Sequence, residues 1–270
     1  MKSLEKFDSR KHKYPSGNVP FSYMTLPLYW DFCAYTFERN GENLIVCQDI
    51  FYPHDFPSFF LPREKKNWER LTITFGTLAD LEKIKSEKIK ILARNSGGTE
   101  YYYRTADLLN PNKKIRNRIS QFHRLYASKV LNVYPLEKIR EFFYFWEGQR
   151  QRKESTFTEV ESRDLFFFCL DNLQRYNIRQ VYVEVGGRLV GLAWGVPFDD
   201  NHWVGLHLKV DYSVKGLSRF LHQERAKLFS DFEEFTLGTG CFEKGIEQYK
   251  QELGPVIEIK YSYIATGDKI

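Results

Sequence analysis

Apolar residues recur along this chain at two spacings, and the change from one spacing to the other divides the chain into segments. Positions three or four apart predict helices, while alternating or continuous runs of β-branched and aromatic residues predict strands. The first half is predicted to contain helix 26–35, strands 43–49 and 56–63, helix 77–88, and strands 88–93 and 99–105. This alternation is typical of a layered α/β unit, which we place at residues 21–110 after a flexible, basic lead-in at 1–20.

Residues 111–270 show a clearer order of elements. The pattern predicts helices 113–126, 136–146 and 163–176, strands 179–185, 188–196 and 202–210, helix 216–229, strand 233–238, a helix that ends at Gly254 and Pro255, and strand 256–264. The Gly186-Gly187 pair predicts a hairpin between the first two strands. The order resembles that of the GCN5-related N-acyltransferase (GNAT) fold. We therefore expect an α/β protein with two GNAT-like domains in tandem, in which mixed sheets are flanked by helices.

Composition narrows the class of protein. Hydrophobic residues make up 42% of the 270 residues and aromatic residues 17%, which is typical of a folded globular chain. No segment approaches the run of about 18 apolar residues that a membrane helix needs, and the polar start lacks the apolar core of a signal peptide. The four cysteines lie far apart, which argues against a zinc site or a disulfide framework. A cytoplasmic protein is expected, and a net charge of +5 does not by itself indicate a nucleic-acid partner.

Three segments narrow the family. Residues Thr99 to Tyr126 resemble the part of phosphatidylglycerol lysyltransferase C-terminal domains in which an acidic-aromatic strand precedes a basic helix. Residues Val210 to Gly216 resemble the Asp and Lys-Gly turn of the same family, although Leu208 stands where that family usually has a Glu. Residues Leu237 to Pro255 are similar to the closing motif of the related FemABX peptidyltransferases. Both families place two acyltransferase-like folds in tandem and transfer an aminoacyl group from a charged tRNA.

Aminoacyl transfer needs a group that stabilises the negative charge growing on the ester carbonyl oxygen. Lys250 is the candidate cation, aimed by the neighbouring Tyr249 along the flank of the last helix; the alternative is a surface lysine that covers the edge of the core. Asp211 is the candidate base, or orients the amine. An aspartate at a strand end is, however, most often a turn or cap residue.

Candidate binding residues lie in two places. On helix 113–126 the apolar stripe faces away from Lys113, Arg116 and Arg124, and Arg118 lies at the border of this basic face. The face could contact tRNA phosphates, or be an ordinary solvated helix surface. The turn Gly238-Thr239-Gly240 precedes the last helix and could offer backbone N–H groups to an anion, or simply connect a strand to a helix.

These features predict an aminoacyltransferase that moves an amino acid from aminoacyl-tRNA to an amine or hydroxyl acceptor such as a phospholipid, a peptide or a small molecule. No cofactor or metal is expected. Acyl-CoA is the less favoured donor, because the segment before helix 216–229 holds one glycine where a pyrophosphate loop usually holds several. The alternatives are an acyl-CoA-dependent N-acyltransferase and a non-catalytic binding module. Peripheral contact with lipid at the inner face of the membrane fits the resemblance, and no feature sets the oligomeric state.

Overall fold

The computed structural model describes residues 5–8, 21–47, 58–151, 159–239 and 244–270. The strands in chain order are β1 (Glu5–Lys6), β2 (Ala34–Arg39), β3 (Glu42–Cys47), β4 (Thr72–Gly76), β5 (Ile89–Arg104), β6 (Ser128–Leu131), β7 (Arg179–Val185), β8 (Arg188–Pro197), β9 (His202–Val210), β10 (Glu234–Thr239) and β11 (Ile257–Lys269). The helices are α1 (Pro27–Cys33), α2 (Leu78–Ser86), α3 (Thr105–Leu109), α4 (Lys113–Leu125), α5 (Leu136–Gln151), α6 (Glu159–Asp171), α7 (Leu217–Leu228) and α8 (Lys244–Glu252).

The first of two compact units contains residues 1–101, 238–248 and 257–270. Its strands form a small sheet in the order β1-β2-β3 and a second set in the order β4-β11-β5. Two apolar clusters fill it, one around Ile73, Ile84 and Ile264 and the other around Trp30 and Phe59. Helix α2 is closed at its N-terminus by a reciprocal capping box, in which the Thr77 hydroxyl accepts from the backbone of Asp80.

The second unit contains residues 102–237 and 249–256. Its strands follow the order β10-β9-β8-β7-β6, antiparallel except for the β9–β10 pair. Helix α7 packs closely on one face of this sheet, because a Cβ at Gly191 would lie 2.7 Å from Leu221. Trp194 points to the opposite face, where its ring stacks on Phe166 of α6 at 4.7 Å. The sheet is therefore flanked by helices on both faces.

An irregularity in β9 decides on which face of the sheet each of its side chains lies. The β8–β9 pairing shifts register between Ala193 and Gly195, where β9 carries one residue more than β8. As a result Gly205 faces α7, while His207 packs on Phe166 in the opposite layer. The side-chain alternation of an unbroken strand would have put both residues on the same face.

The structure confirms the mixed α/β class and most of the predicted elements of the second half. The hairpin strands β7 and β8 and the third strand β9 lie where the sequence predicts them. In the first half β4 was missed, and the two strands predicted at 88–93 and 99–105 form the single strand β5. Pairing within a sheet outweighs the local preference of Gly98, whose φ is +99°.

The predicted segment boundaries differ from the compact units. Within the lead-in at 1–20, Lys6 pairs with Tyr35 in the small sheet and the Phe7 side chain is buried, so residues 5–8 belong to the fold. Residues 257–270 group with the first unit, where β11 pairs with β4, and the described residues 238–239 and 244–248 group with the same unit. In the described part of the chain no helix is long and apolar enough to cross a membrane.

Candidate functional site

Helix α4 carries the basic face that the sequence predicts. Asn112 caps its N-terminus by accepting a hydrogen bond from the backbone N–H of Ile115 at 3.1 Å. Its buried stripe packs on α7, where the Phe122 and Phe220 rings stack at 4.6 Å. The opposite side exposes three cations, which we call the basic surface: Lys113, Arg116 and Arg124.

A cavity of about 420 Å³ opens beside α4 and is bounded by α7 and the end of α8. Its lining is strongly positive, with four cations and one carboxylate among the described residues: Lys114, Arg118, Lys215, Arg219 and Glu252. We call it the basic cavity. Arg118 was predicted as a binding residue, whereas the other three cations were missed. The Lys114-to-Arg118 spacing of four residues along a helix was the signal that placed both on one side of α4.

Gly216 forms the N-terminal end of α7 at the wall of the basic cavity. Its φ of +83° is in the left-handed region, and a Cβ at this position would lie 2.3 Å from the backbone oxygen of Arg118. Gly216 has no side chain that could cap the helix, and the backbone N–H of Leu217, the first residue of α7, donates to the backbone oxygen of Val214 at 3.4 Å. Helix N-termini carry partial positive charge, which adds to that of the four cations.

Tyr249 lies between the basic cavity and the interior of the second unit. The Arg219 guanidinium stacks on the Tyr249 ring at 3.6 Å, and the Tyr249 hydroxyl donates to the backbone oxygen of Ser218 at 3.5 Å. Burial raises the pKa of the Tyr249 hydroxyl. The ring therefore holds Arg219 in place and contributes as a neutral phenol.

Lys250 points into the second unit. Its Nζ donates a hydrogen bond to the backbone oxygen of Leu237 at 2.8 Å, and the residue is 7% exposed. Leu237 follows the point at which β9 and β10 cease to pair, since their register covers three residue pairs and ends at Val204 and Thr236. Lys250 thus places a cation where two parallel strands part, and the surface alternative considered from the sequence does not describe its position.

Asp211 is held at the end of β9 by hydrogen bonds to both carboxylate oxygens. Oδ1 accepts from Gln149 at 3.0 Å and from the Ser213 hydroxyl at 2.6 Å, and Oδ2 accepts from Arg188 at 2.9 Å. Burial alone would raise the pKa of Asp211, but the hydrogen bonds from Ser213 and Gln149 and the charge of Arg188 outweigh it and lower the pKa. The geometry is that of an ionised turn anchor, and a role as base stays a prediction.

Of the turn Gly238-Thr239-Gly240, the first two residues end strand β10, and α8 is described from Lys244 onward. The place of the turn at the N-terminus of this helix stays a prediction. Gly240 lies outside the described residues. Gly238 has a φ of +70°, and a Cβ there would lie 3.3 Å from Tyr23, so the end of β10 favours glycine at this position.

A group of buried cations and neutral histidines was not predicted. Arg225 is 1% exposed and donates to the backbone oxygen of Trp194 and to Nδ1 of His222. Burial lowers the pKa of Arg225 to about 10. Burial, together with the charges of Arg225, Arg219 and Lys250, holds the pKa of His222 well below its ordinary value. From sequence, only the position of Arg225 in line with the apolar stripe of α7 indicated burial.

Several solved structures of other proteins have a similar fold. No family model and no curated protein matches the sequence. A conserved protein of unknown function from Bacteroides thetaiotaomicron matches with a TM-score of 0.77 at 16% identity, over 99% of this chain and 100% of that one. The C-terminal domain of a putative lysylphosphatidylglycerol synthetase from Agrobacterium fabrum gives 0.58 at 11% identity, over 90% and 86%. FemX gives 0.57 at 9% identity, over 97% and 96%.

The fold is GNAT-like. The similarity to the lysylphosphatidylglycerol synthetase domain and to FemX confirms the resemblance expected from residues Thr99–Tyr126, Val210–Gly216 and Leu237–Pro255. At such low identity the likeness establishes the fold, and the chemistry has to be argued from the side chains of this chain.

Proposed function

We propose that this protein is an aminoacyltransferase that takes an amino acid from aminoacyl-tRNA and passes it to an amine or hydroxyl acceptor. The observation that carries the proposal is the continuity of positive charge on α4, from the basic surface to Arg118 and Lys114 in the basic cavity. A donor with several successive phosphates would use both regions, because each phosphate contact adds attraction. A single pyrophosphate would need the cavity alone.

The lone glycine before α7 also supports this donor. Gly216 is the only glycine between β9 and α7, so a single residue there brings bare backbone close to a ligand. Cradles for pyrophosphate generally use several such residues. Acyl-CoA remains the alternative donor.

In the proposed reaction the acceptor nitrogen or oxygen forms a bond to the ester carbonyl carbon of the aminoacyl group. The bond from that carbon to the terminal ribose oxygen breaks, and the proton lost by the acceptor ends on the ribose hydroxyl. The Lys250 ammonium would stabilise the negative charge on the carbonyl oxygen, while Tyr249 fixes the α8 end that carries it. In this role Nζ would exchange its hydrogen bond to the Leu237 oxygen for one to the substrate.

Binding of the two donors separates the proposal from its main rival. Unfractionated aminoacyl-tRNA and CoA are each titrated into the protein at low salt, the tRNA by fluorescence anisotropy and CoA by calorimetry. We expect aminoacyl-tRNA to bind at least about 100-fold more tightly than CoA, because it can reach both the basic surface and the basic cavity. Tighter binding of CoA would favour acyl-CoA transfer. Failure of both donors to bind would favour a binding module for another ligand.

A further inference from the structure

Glu252 is the one carboxylate among the described residues that line the basic cavity, and it contacts two of the four cations. Its Oε1 lies 2.9 Å from Nζ of Lys114 on α4, and its Oε2 lies 2.7 Å from Nη2 of Arg219 on α7. The side chain thus uses one oxygen for each cation and joins two helices. A ligand phosphate entering the cavity would present its oxygens to the same two cations.

The two ion pairs differ in how firmly they are held. The Lys114 side chain is 66% exposed, so its pair is screened by water and contributes little to stability. The Arg219 side chain is 13% exposed and stacked on Tyr249, so it keeps its place whether or not Glu252 is bound. Hydrogen bonds from Lys114 and then Arg219 lower the pKa of Glu252, and the carboxylate therefore stays charged at neutral pH.

We propose that Glu252 is a specificity-determining residue of the basic cavity, an internal anion that competes with ligand phosphate for Lys114 and Arg219. An incoming phosphate must first displace the carboxylate into water. Small anions, which gain contacts in the cavity alone, are then held weakly. A polyanion that also engages the basic surface keeps enough attraction to bind. The inference rests on the proposed use of this cavity for donor phosphates.

Glu252→Gln tests the competition, because the amide keeps the size of the side chain and one acceptor for Arg219 while removing the charge. The probe is inorganic pyrophosphate, titrated by calorimetry at several salt concentrations. We expect the variant to bind about 10-fold more tightly than the wild type. The pyrophosphate affinity of the variant should also fall more steeply as the salt concentration rises. The steeper slope should correspond to about one additional counterion released on binding, because Lys114 and Arg219 no longer have an internal counterion.

Glu247→Gln is the matched control, because Glu247 lies on the same helix, makes the same change in net charge and does not line the cavity. It should change pyrophosphate affinity less than about 2-fold. Glu252→Ala provides a second variant, and thermal melting checks that each protein is folded. Aminoacyl transfer is not measured here, so a failed reaction and a failed competition remain distinguishable.

Equal or weaker pyrophosphate binding by folded Glu252→Gln and Glu252→Ala would overturn the competition and leave the cavity as an anion site. An equal gain for Glu247→Gln would also overturn it, because the effect would then come from net charge. If the wild type and both Glu252 variants bind no pyrophosphate at millimolar concentration, the basic cavity is not an anion site and the inference is wrong. Transfer from aminoacyl-tRNA would still have to be tested separately.

Discussion

The exposed cations of α4 and the buried cations around α7 and α8 carry the same charge in opposite surroundings. Three of these cations are exposed to solvent: Lys113, Arg116 and Arg124. Water hydrates their charged groups, and a negatively charged partner can reach them. Lys250 and Arg225 are buried and donate to backbone carbonyl oxygens. Charge in the interior is expensive unless it is hydrogen-bonded. The first group is therefore suited to long-range attraction and the second to a fixed position beside a reacting group.

Charge reversal of the basic surface tests the first half of this comparison. Lys113→Glu, Arg116→Glu and Arg124→Glu together should weaken tRNA binding by about 10³-fold at 50 mM salt, because three attractions become repulsions. The loss should shrink as salt rises, and the melting temperature should stay nearly unchanged.

The matched control reverses Lys66, Lys85 and Lys90, which are exposed in the first unit. It makes the same change in net charge away from α4. Equal weakening of tRNA binding in both triple variants would show that overall charge, rather than the basic surface, attracts the nucleic acid.

Gly216 lies at the N-terminal end of α7, at the wall of the basic cavity. Gly216→Ala should lower the free energy of unfolding by about 3 kcal/mol. Alanine disfavours a φ of +83°, and its Cβ would lie 2.3 Å from the Arg118 oxygen. Gly245→Ala is the control: this glycine lies in α8 with no atom within 4 Å of the added Cβ, so the change should be neutral or slightly stabilising. Urea denaturation of both variants gives the comparison, and equal effects would show that the α7 entrance is not constrained.

The buried histidines should make stability fall as pH falls from 7 to 5. His207 and His222 stay neutral in the folded protein because burial and neighbouring cations hold their pKa values well below normal. The unfolded chain takes up a proton at each near pH 6.5, so it binds more protons than the folded state below that pH. Each histidine then removes up to about 1.4 kcal/mol per pH unit.

His222→Gln should reduce this pH dependence by about half, since glutamine can still accept from Arg225 through its oxygen but does not titrate. The exposed His123, changed to Gln, is the control for the loss of a histidine from the surface. Urea denaturation at pH 7, 6 and 5 measures the slopes. An unchanged slope in His222→Gln would mean that His222 takes up its proton in the folded state as readily as in the unfolded chain.

Asp211→Asn should cost about 1–2 kcal/mol at pH 7, because Arg188 loses its charged partner while Ser213 keeps an acceptor. The pKa of Asp211 is lowered in the folded state, so its contribution is present above the ordinary value of 3.8 and is lost as pH falls through the lowered pKa. The two proteins should therefore differ in stability at pH 7 and converge in strong acid. A variant of normal stability that cannot transfer would point instead to the predicted role as base.

The sequence predicted the regular parts of the fold and the exposed part of the site for the same reason. Periodicity reports which side of a helix or strand is buried, and it located both β7–β9 and the basic face of α4. It could not place Lys250, whose burial depends on where β9 and β10 stop pairing. It also missed Lys215 and Arg219, which meet Arg118 only because α4 packs on α7. Lys114 was missed as well, although its spacing of four residues from Arg118 along α4 was a usable signal.

The irregularity in β9 is a further feature that the periodicity of the sequence does not predict. An alternating pattern over 202–210 predicts one face for Gly205 and His207, but the extra residue opposite Ala193 and Gly195 separates them. Local preference gives the type of element, and contacts between elements decide what the elements bring together.

Single-turnover transfer by wild-type protein and Lys250→Met tests the central claim most directly. Unfractionated tRNA charged with labelled amino acids is mixed with excess protein and, in parallel, phosphatidylglycerol vesicles, peptides or small amines, and the label leaving tRNA is followed. We predict protein-dependent transfer by the wild type and a rate at least about 10²-fold lower for a folded Lys250→Met. Wild-type protein that moves no label from any charged tRNA, or a Lys250→Met variant that transfers at the wild-type rate, would contradict the account.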